Sequence, residues 1–163
     1  GVPDAVAFYK AFAMTSVKIN ATDALDVNDP HTLTLIRDRD MTLLDIMQHS
    51  AANDMVAREW MTGFRMTRRG ADLLREIGPG RESIVRTFLT LLATEPDTFI
   101  IKKHGPAIAQ ETMMAARDVL DGKRSAEDLD AECIRRDINP GSMADILIAS
   151  LYIALGEGWS WDS

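Results

Sequence analysis

The chain has 163 residues, with 18 Lys and Arg against 25 Asp and Glu and a formal charge of −7. Its length suits one domain with a sizeable core, and 46% hydrophobic with 26% charged residues excludes a disordered or collagen-like chain. The acidity excludes sequence-blind nucleic-acid binding, and no uncharged apolar run approaches the ~20 residues a bilayer requires.

Taken in chain order, Pro3 opens a first helical turn, and Val6, Phe8, Tyr9 and Phe12 follow at helical spacing. Residues 15–29, including Ile19 and Asn20, are polar and β-branched and predict an irregular loop. Asp29-Pro30 caps and starts a short helix through Ile36, and Thr42 to Gln48 predicts another. Apolar residues recur at three- and four-residue steps from Ala51 to Ile77, predicting one long helix stopped by Gly78-Pro79-Gly80.

Arg81 to Ala93 is amphipathic and ends at Glu95-Pro96. Asp97 is placed to cap a short helix ending at Gly105, and Pro106 opens a helix to Leu120. Ser125 with Asp128 forms a capping-box signature before a helix to Arg136. Asn139-Pro140-Gly141-Ser142 then turns the chain into a last helix, Met143 to Leu155. That helix is apolar on nearly all sides and is predicted to run through the middle of the bundle, with Trp159 and Trp161 as an aromatic tail. No stretch alternates with period two. The reading is all-α: a compact multi-helix bundle with a buried apolar C-terminal helix, in one domain over 1–163.

Three segments carry residues suited to chemistry, and each also has a purely structural reading. Asp97-Thr98 through Lys102-Lys103-His104-Gly105 offers cations and a close-approach glycine for phosphate, or cations that complement a helix C-terminus. Asn139, Gly141, Ser142 and Asp145 offer an anion cradle with a carboxylate beside it, or a capping box of Ser142 with Asp145. Asn53, Asp54 and Arg58 fall near one face of the long helix as a polar pocket, or as an Asp–Arg surface pair. P-loop and dinucleotide fingerprints are absent, and His31, His49 and His104 lack the spacing of a zinc hydrolase. A helical phosphohydrolase is disfavoured for the same lack of ligand histidines. Cys133 stands alone, which excludes an intrachain disulfide and favours a cytoplasmic setting.

Together these blocks resemble the triphosphoribosyl-dephospho-CoA synthase family. The resemblance runs in order through Ser50–Asp54, Arg58–Phe64, Phe88–Leu92, Pro96–Thr98, Lys103–Gly105 and Asn139–Asp145. Lys-His-Gly at 103–105 is similar to the archaeal branch. The resemblance implies an all-helical enzyme that moves the triphosphoribosyl group of ATP to the ribose 2′-hydroxyl of 3′-dephospho-CoA, or a related acceptor, and releases adenine. That product is the precursor of an acyl-carrier prosthetic group.

The same resemblance implies Asp97, His104 and Asp145 as catalytic residues. It implies Asn53, Asp54, Arg58, Thr98, Lys102, Lys103, Gly105, Asn139, Gly141 and Ser142 as nucleotide-binding residues, with Mg²⁺ at Asp97 and Asp145. Partners are then nucleotide and CoA-type small molecules, with neither nucleic acid nor membrane. The family's Asn-x-His-Lys-Gly block is not in this sequence, which therefore reads as the family's C-terminal half. It would be completed by an N-terminal half or partner subunit, and self-association is a further expectation. The alternative is a non-catalytic helical binding or scaffold subunit that keeps the fold.

Overall fold

The computed structural model describes residues 1–16 and 25–162, and among them every regular element is a helix. The elements are α1 (Val2–Ala13), α2 (Pro30–Asp38), α3 (Leu43–Ser50), α4 (Met55–Thr62), α5 (Arg65–Ile77), α6 (Arg81–Leu92), α7 (Thr98–His104), α8 (Pro106–Leu120), α9 (Ala126–Arg135) and α10 (Gly141–Gly156). Of the expected loop, residues 15, 16 and 25–29 are non-helical, while Ile19 and Asn20 lie outside the described residues.

Local chemistry explains most of the boundaries. Asp29 accepts the His31 amide at 2.8 Å ahead of Pro30, and Thr42 and Asp45 form a reciprocal capping box. Ser125 accepts the Asp128 amide at 3.0 Å, which is one half of its expected box.

The helix expected over 51–77 is two helices. Gly63 and Phe64 both adopt the left-handed conformation, at φ 67° and 61°, and end α4 before α5 begins. Apolar periodicity runs through this break, so spacing alone does not reveal it. The buried Glu59 carboxylate holds the junction: it accepts the Met66 amide at 3.0 Å and the Thr67 amide at 2.8 Å, satisfying two free donors at the start of α5.

Helices α5, α6 and α10 form the centre of the larger part of the molecule. Leu91, Leu92, Met143 and Ile146 are buried in one apolar cluster, with Ala71, Leu74, Ala154 and Trp159 in a second. Helix α5 approaches α10 at Gly70, where a Cβ would collide with Ser150 Oγ and lie 2.8 Å from its Cβ. Only glycine allows that approach. Trp159 is not a free tail; it is buried, and its indole N–H donates to the Gly78 carbonyl at 2.8 Å. Trp161 stays exposed.

α10 is less central than its composition suggests. Ser142, Met143, Ile146, Leu147, Ser150 and Ala154 are buried, but Ile148, Tyr152 and Leu155 form a stripe on the opposite side, with Tyr152 81% exposed. An all-apolar helix is buried only as far as neighbours surround it, and here they cover one side. Helices α1–α3 pack around their own cluster of Ala5, Tyr9, Ile36 and Ile46 and meet the rest chiefly where α3 lies against α4.

Candidate functional site

The site is built on Asp97, whose backbone is extended after the Glu95-Pro96 stop. Its Oδ1 accepts the amides of Phe99 at 2.7 Å and Ile100 at 3.0 Å, capping α7. Its Oδ2 accepts the Met143 amide at 2.7 Å, so the same carboxylate caps α10 from 46 residues away. Ser142 does not cap α10 as its Ser-x-x-Asp spacing suggests. It lies within the helix, and its hydroxyl is 3.1 Å from Thr98 Oγ1, which also accepts the Met55 amide at 3.1 Å.

The starts of α4, α7 and α10 therefore converge on Asp97 and Thr98. Three positive helix ends in one place favour an anion, and the buried Asp97 carboxylate is the internal one. Burial pushes its carboxyl above the ordinary carboxylate range. The amide bonds from Met143, Ile100 and Phe99 pull it back, while the charge of nearby Asp145 pushes it further up.

The far end of α7 is held to the same segment. Lys103 Nζ donates to Asp137 Oδ2 at 2.6 Å and to its carbonyl at 3.3 Å, and His104 Nε2 lies 2.9 Å from that carbonyl. A carbonyl only accepts, so Nε2 is the donor in this contact. The Lys103 ammonium holds the Asp137 carboxyl below its usual range. Asp137 is absent from the sequence-predicted set. Its one local signal is an Asp in a turn, where it adopts φ 55°. Between the two ends, Gly141 packs under Phe99, whose Cδ1 would be 3.2 Å from a Cβ there. Gly105, at φ 86°, ends α7 and leads into Pro106.

The structure thus unites Asp97, Thr98, Lys103, His104, Gly105, Asn139, Gly141, Ser142 and Asp145 along one edge. Asn139 and Asp145 are exposed there, and among the described residues Asp145 makes no side-chain hydrogen bond or ion pair. Lys102 is exposed and equally unpaired.

The third segment divides. Asn53 and Asp54 precede α4 rather than lying on a helix face, and Asp54 accepts the Val56 and Ala57 amides at 2.8 and 3.1 Å. Arg58 pairs with Glu95 instead of Asp54. An i, i+4 pair requires both residues to be helical, and Asp54 is the cap.

The Asp97–Asp145 pair does not fit a metal ion. Both Asp97 oxygens face amide donors in a buried pocket, leaving Asp145 as a lone exposed carboxylate, and no group of three or more His, Cys, Asp or Glu among the described residues could hold a cation.

The model of the ATP:dephospho-CoA triphosphoribosyl transferase family (CitG) matches residues 1–163. The chain belongs to that family. A crystal structure from Archaeoglobus fulgidus, provisionally described as a triphosphoribosyl-dephospho-CoA synthase, superposes with a TM-score of 0.78 at 26% identity. The match covers 97% of this chain and 66% of the other, so the chain spans just under two thirds of that protein's length. No curated protein is significantly similar in sequence. No described helix is long and apolar enough to cross a membrane.

Proposed function

We propose that the chain takes part in moving the triphosphoribosyl group of ATP to the 2′-hydroxyl of 3′-dephospho-CoA or a related acceptor, with release of adenine. The reading rests most on the Asp97 carboxylate, which joins the 97–105 and 139–145 blocks into one edge. In this reaction the bond from ribose C1′ to adenine breaks, and its electron pair leaves with the base. The acceptor hydroxyl then bonds to C1′ and loses the proton that balances the one adenine gains.

Positive charge builds at C1′ in such a step, and a carboxylate beside it lowers the barrier. Asp145 is the exposed carboxylate and takes that role, while Asp97 positions the two helix starts. His104 Nδ1 is the group that protonates the departing base. Lys102 and Lys103 meet phosphate oxygens of the acceptor together with Asn139, Thr98, Ser142 and the turn amides around Gly105 and Gly141. Asn53 and Asp54 shape the rim at the start of α4, and Arg58 holds Glu95 beside the Asp97 turn. Mg²⁺ enters this reading only as a companion of the triphosphate, and no step depends on it.

A further segment carrying an Asn-x-His-Lys-Gly block completes the site, from the same polypeptide or a partner subunit. An archaeal, cytoplasmic setting suits the Lys-His-Gly block and the lone Cys133. The competing reading, a non-catalytic scaffold, draws on the same clamp, because Asp97, Thr98 and Asp54 all serve as caps. The two separate on one assay. The intact natural polypeptide, given ATP and 3′-dephospho-CoA, releases adenine and yields a product heavier than the acceptor by the triphosphoribosyl group. Absence of both products leaves the scaffold.

A further inference from the structure

The first helical position of α5 and the fourth and fifth are Arg65, Arg68 and Arg69, and its first turn holds no acidic residue. Cations at a helix N-terminus face the positive end of the macrodipole, so this arrangement opposes local electrostatics. Positions that break a local rule in an otherwise consistent sequence are where function is sought.

The three arginines line a cleft of about 810 Å³ between the start of α5 and the end of α6. That volume is in the range of small-ligand sites. The cleft has two acidic liners, Asp72 and Glu95, and each is already paired with an arginine outside it: Asp72 with Arg75, and Glu95 with Arg58. Arg68 Nε donates to the Gly63 carbonyl at 3.1 Å, and its terminal nitrogens have no partner among the described residues. Arg65 and Arg69 have no ion-pair partner there either.

A cavity of about 250 Å³ between α8 and α9 is the opposite case. Its Arg124 and Arg136 are both paired with Glu132, and Arg136 also with Glu111. In a chain of charge −7, three uncompensated guanidiniums in one cleft are not a generic surface.

We propose that this cleft binds the polyphosphate chain of a nucleoside triphosphate. Guanidinium forks match phosphate oxygens in pairs, and three along one helix turn span a chain of successive phosphates. Glu95 lines the cleft and Asp97 follows it by two residues, so the cleft and the clamp that joins α7 and α10 share the turn between α6 and α7. The inference rests on the transferase reading only for which nucleotide fills the cleft. Polyphosphate binding itself requires no turnover.

The test is calorimetric titration of the intact natural polypeptide with inorganic tripolyphosphate, then with ATP and 3′-dephospho-CoA as competitors. Arg65→Gln/Arg69→Gln should weaken tripolyphosphate binding by about tenfold or more, since each lost contact is charge-assisted. Arg37→Gln/Arg39→Gln, the same charge change on exposed residues at the end of α2, should leave it within twofold. ATP should displace the probe.

The proposal is overturned if the wild type does not bind tripolyphosphate, or if both double variants weaken it equally. It is also overturned if dephospho-CoA displaces the probe and ATP does not. Loss of adenine release with tripolyphosphate binding intact defeats the transferase reading alone. Adenine release that survives the Arg65/Arg69 substitutions defeats the cleft alone.

Discussion

Asp97 and Glu59 are both buried acids that accept hydrogen bonds from helix-start amides, yet one reaches 46 residues along the chain and the other only eight. Glu59 closes a local break, tying α4 to α5 across Gly63-Phe64. Asp97 closes a tertiary joint, with Thr98 and Ser142 beside it, and the blocks it unites carry Lys103, His104, Asn139 and Asp145. A short-range clamp sets the direction of one helix. A long-range clamp brings separate chemistry together. The exposed groups beside each differ accordingly: a mixed edge with an unpaired carboxylate at Asp97, and three arginines after Glu59.

The comparison breaks most visibly at Asp97. An isolated cap is worth about 1 kcal/mol, but Asp97→Ala leaves three amides on two helices without an acceptor in a buried pocket, so the loss should reach about 3–5 kcal/mol. Denaturant unfolding of the variant measures it, and a loss near 1 kcal/mol means the joint does not depend on this carboxylate.

Its pH dependence sharpens the point. The unfolded carboxyl ionises near 3.8, and burial holds the folded one higher. As pH rises through that window the unfolded chain ionises first, so the Asp97 contribution falls with increasing pH. Asp97→Asn removes this slope. Stability curves of the two proteins across the acid range should differ by a gap that moves against the wild type as pH increases, and parallel curves contradict the assignment.

Glu59→Ala comes next, at about 2–3 kcal/mol for two orphaned amides. Because its reach is local, it should leave Asp97-dependent behaviour intact, and the double variant should be close to additive. A strong coupling energy between the two positions shows that the junctions are one unit. Gly70→Ala is smaller, about 1–3 kcal/mol of overpacking against Ser150, and Ser150→Gly should recover much of it. Failure of that rescue means the strain lies in the backbone.

The sequence reading succeeded where the determinants are local. Asp97, Pro106 and Ser125 each mark a helix start within three residues, and Gly105 marks an end; all four agree with the structure. It failed where the determinant sits elsewhere in the chain. Ser142 has the spacing of a cap, but its hydroxyl lies against Thr98 and the capping oxygen belongs to Asp97. The break at Gly63 is invisible to periodicity because Phe64, a residue that rarely takes positive φ, continues the apolar pattern. Arg58 has the spacing of an i, i+4 pair with Asp54, yet its partner is Glu95, 37 residues on.

For the site, reading of the motif blocks named residues at 97–105 and 139–145 that the fold brings together, and also Arg58, which turns to Glu95 instead. It missed Asp137, which fixes both Lys103 and His104 from 34 and 33 residues away.

The central claim assigns positioning to Asp97 and the reaction to Asp145. The most direct measurement is the rate of adenine release by Asp145→Asn in the intact natural polypeptide, alongside its unfolding midpoint. An exposed, unpaired carboxylate can be replaced within about 0.5 kcal/mol of stability. Loss of a charge beside the reacting carbon should slow release by about 10²–10³-fold. A variant that releases adenine within threefold of the wild-type rate contradicts the account.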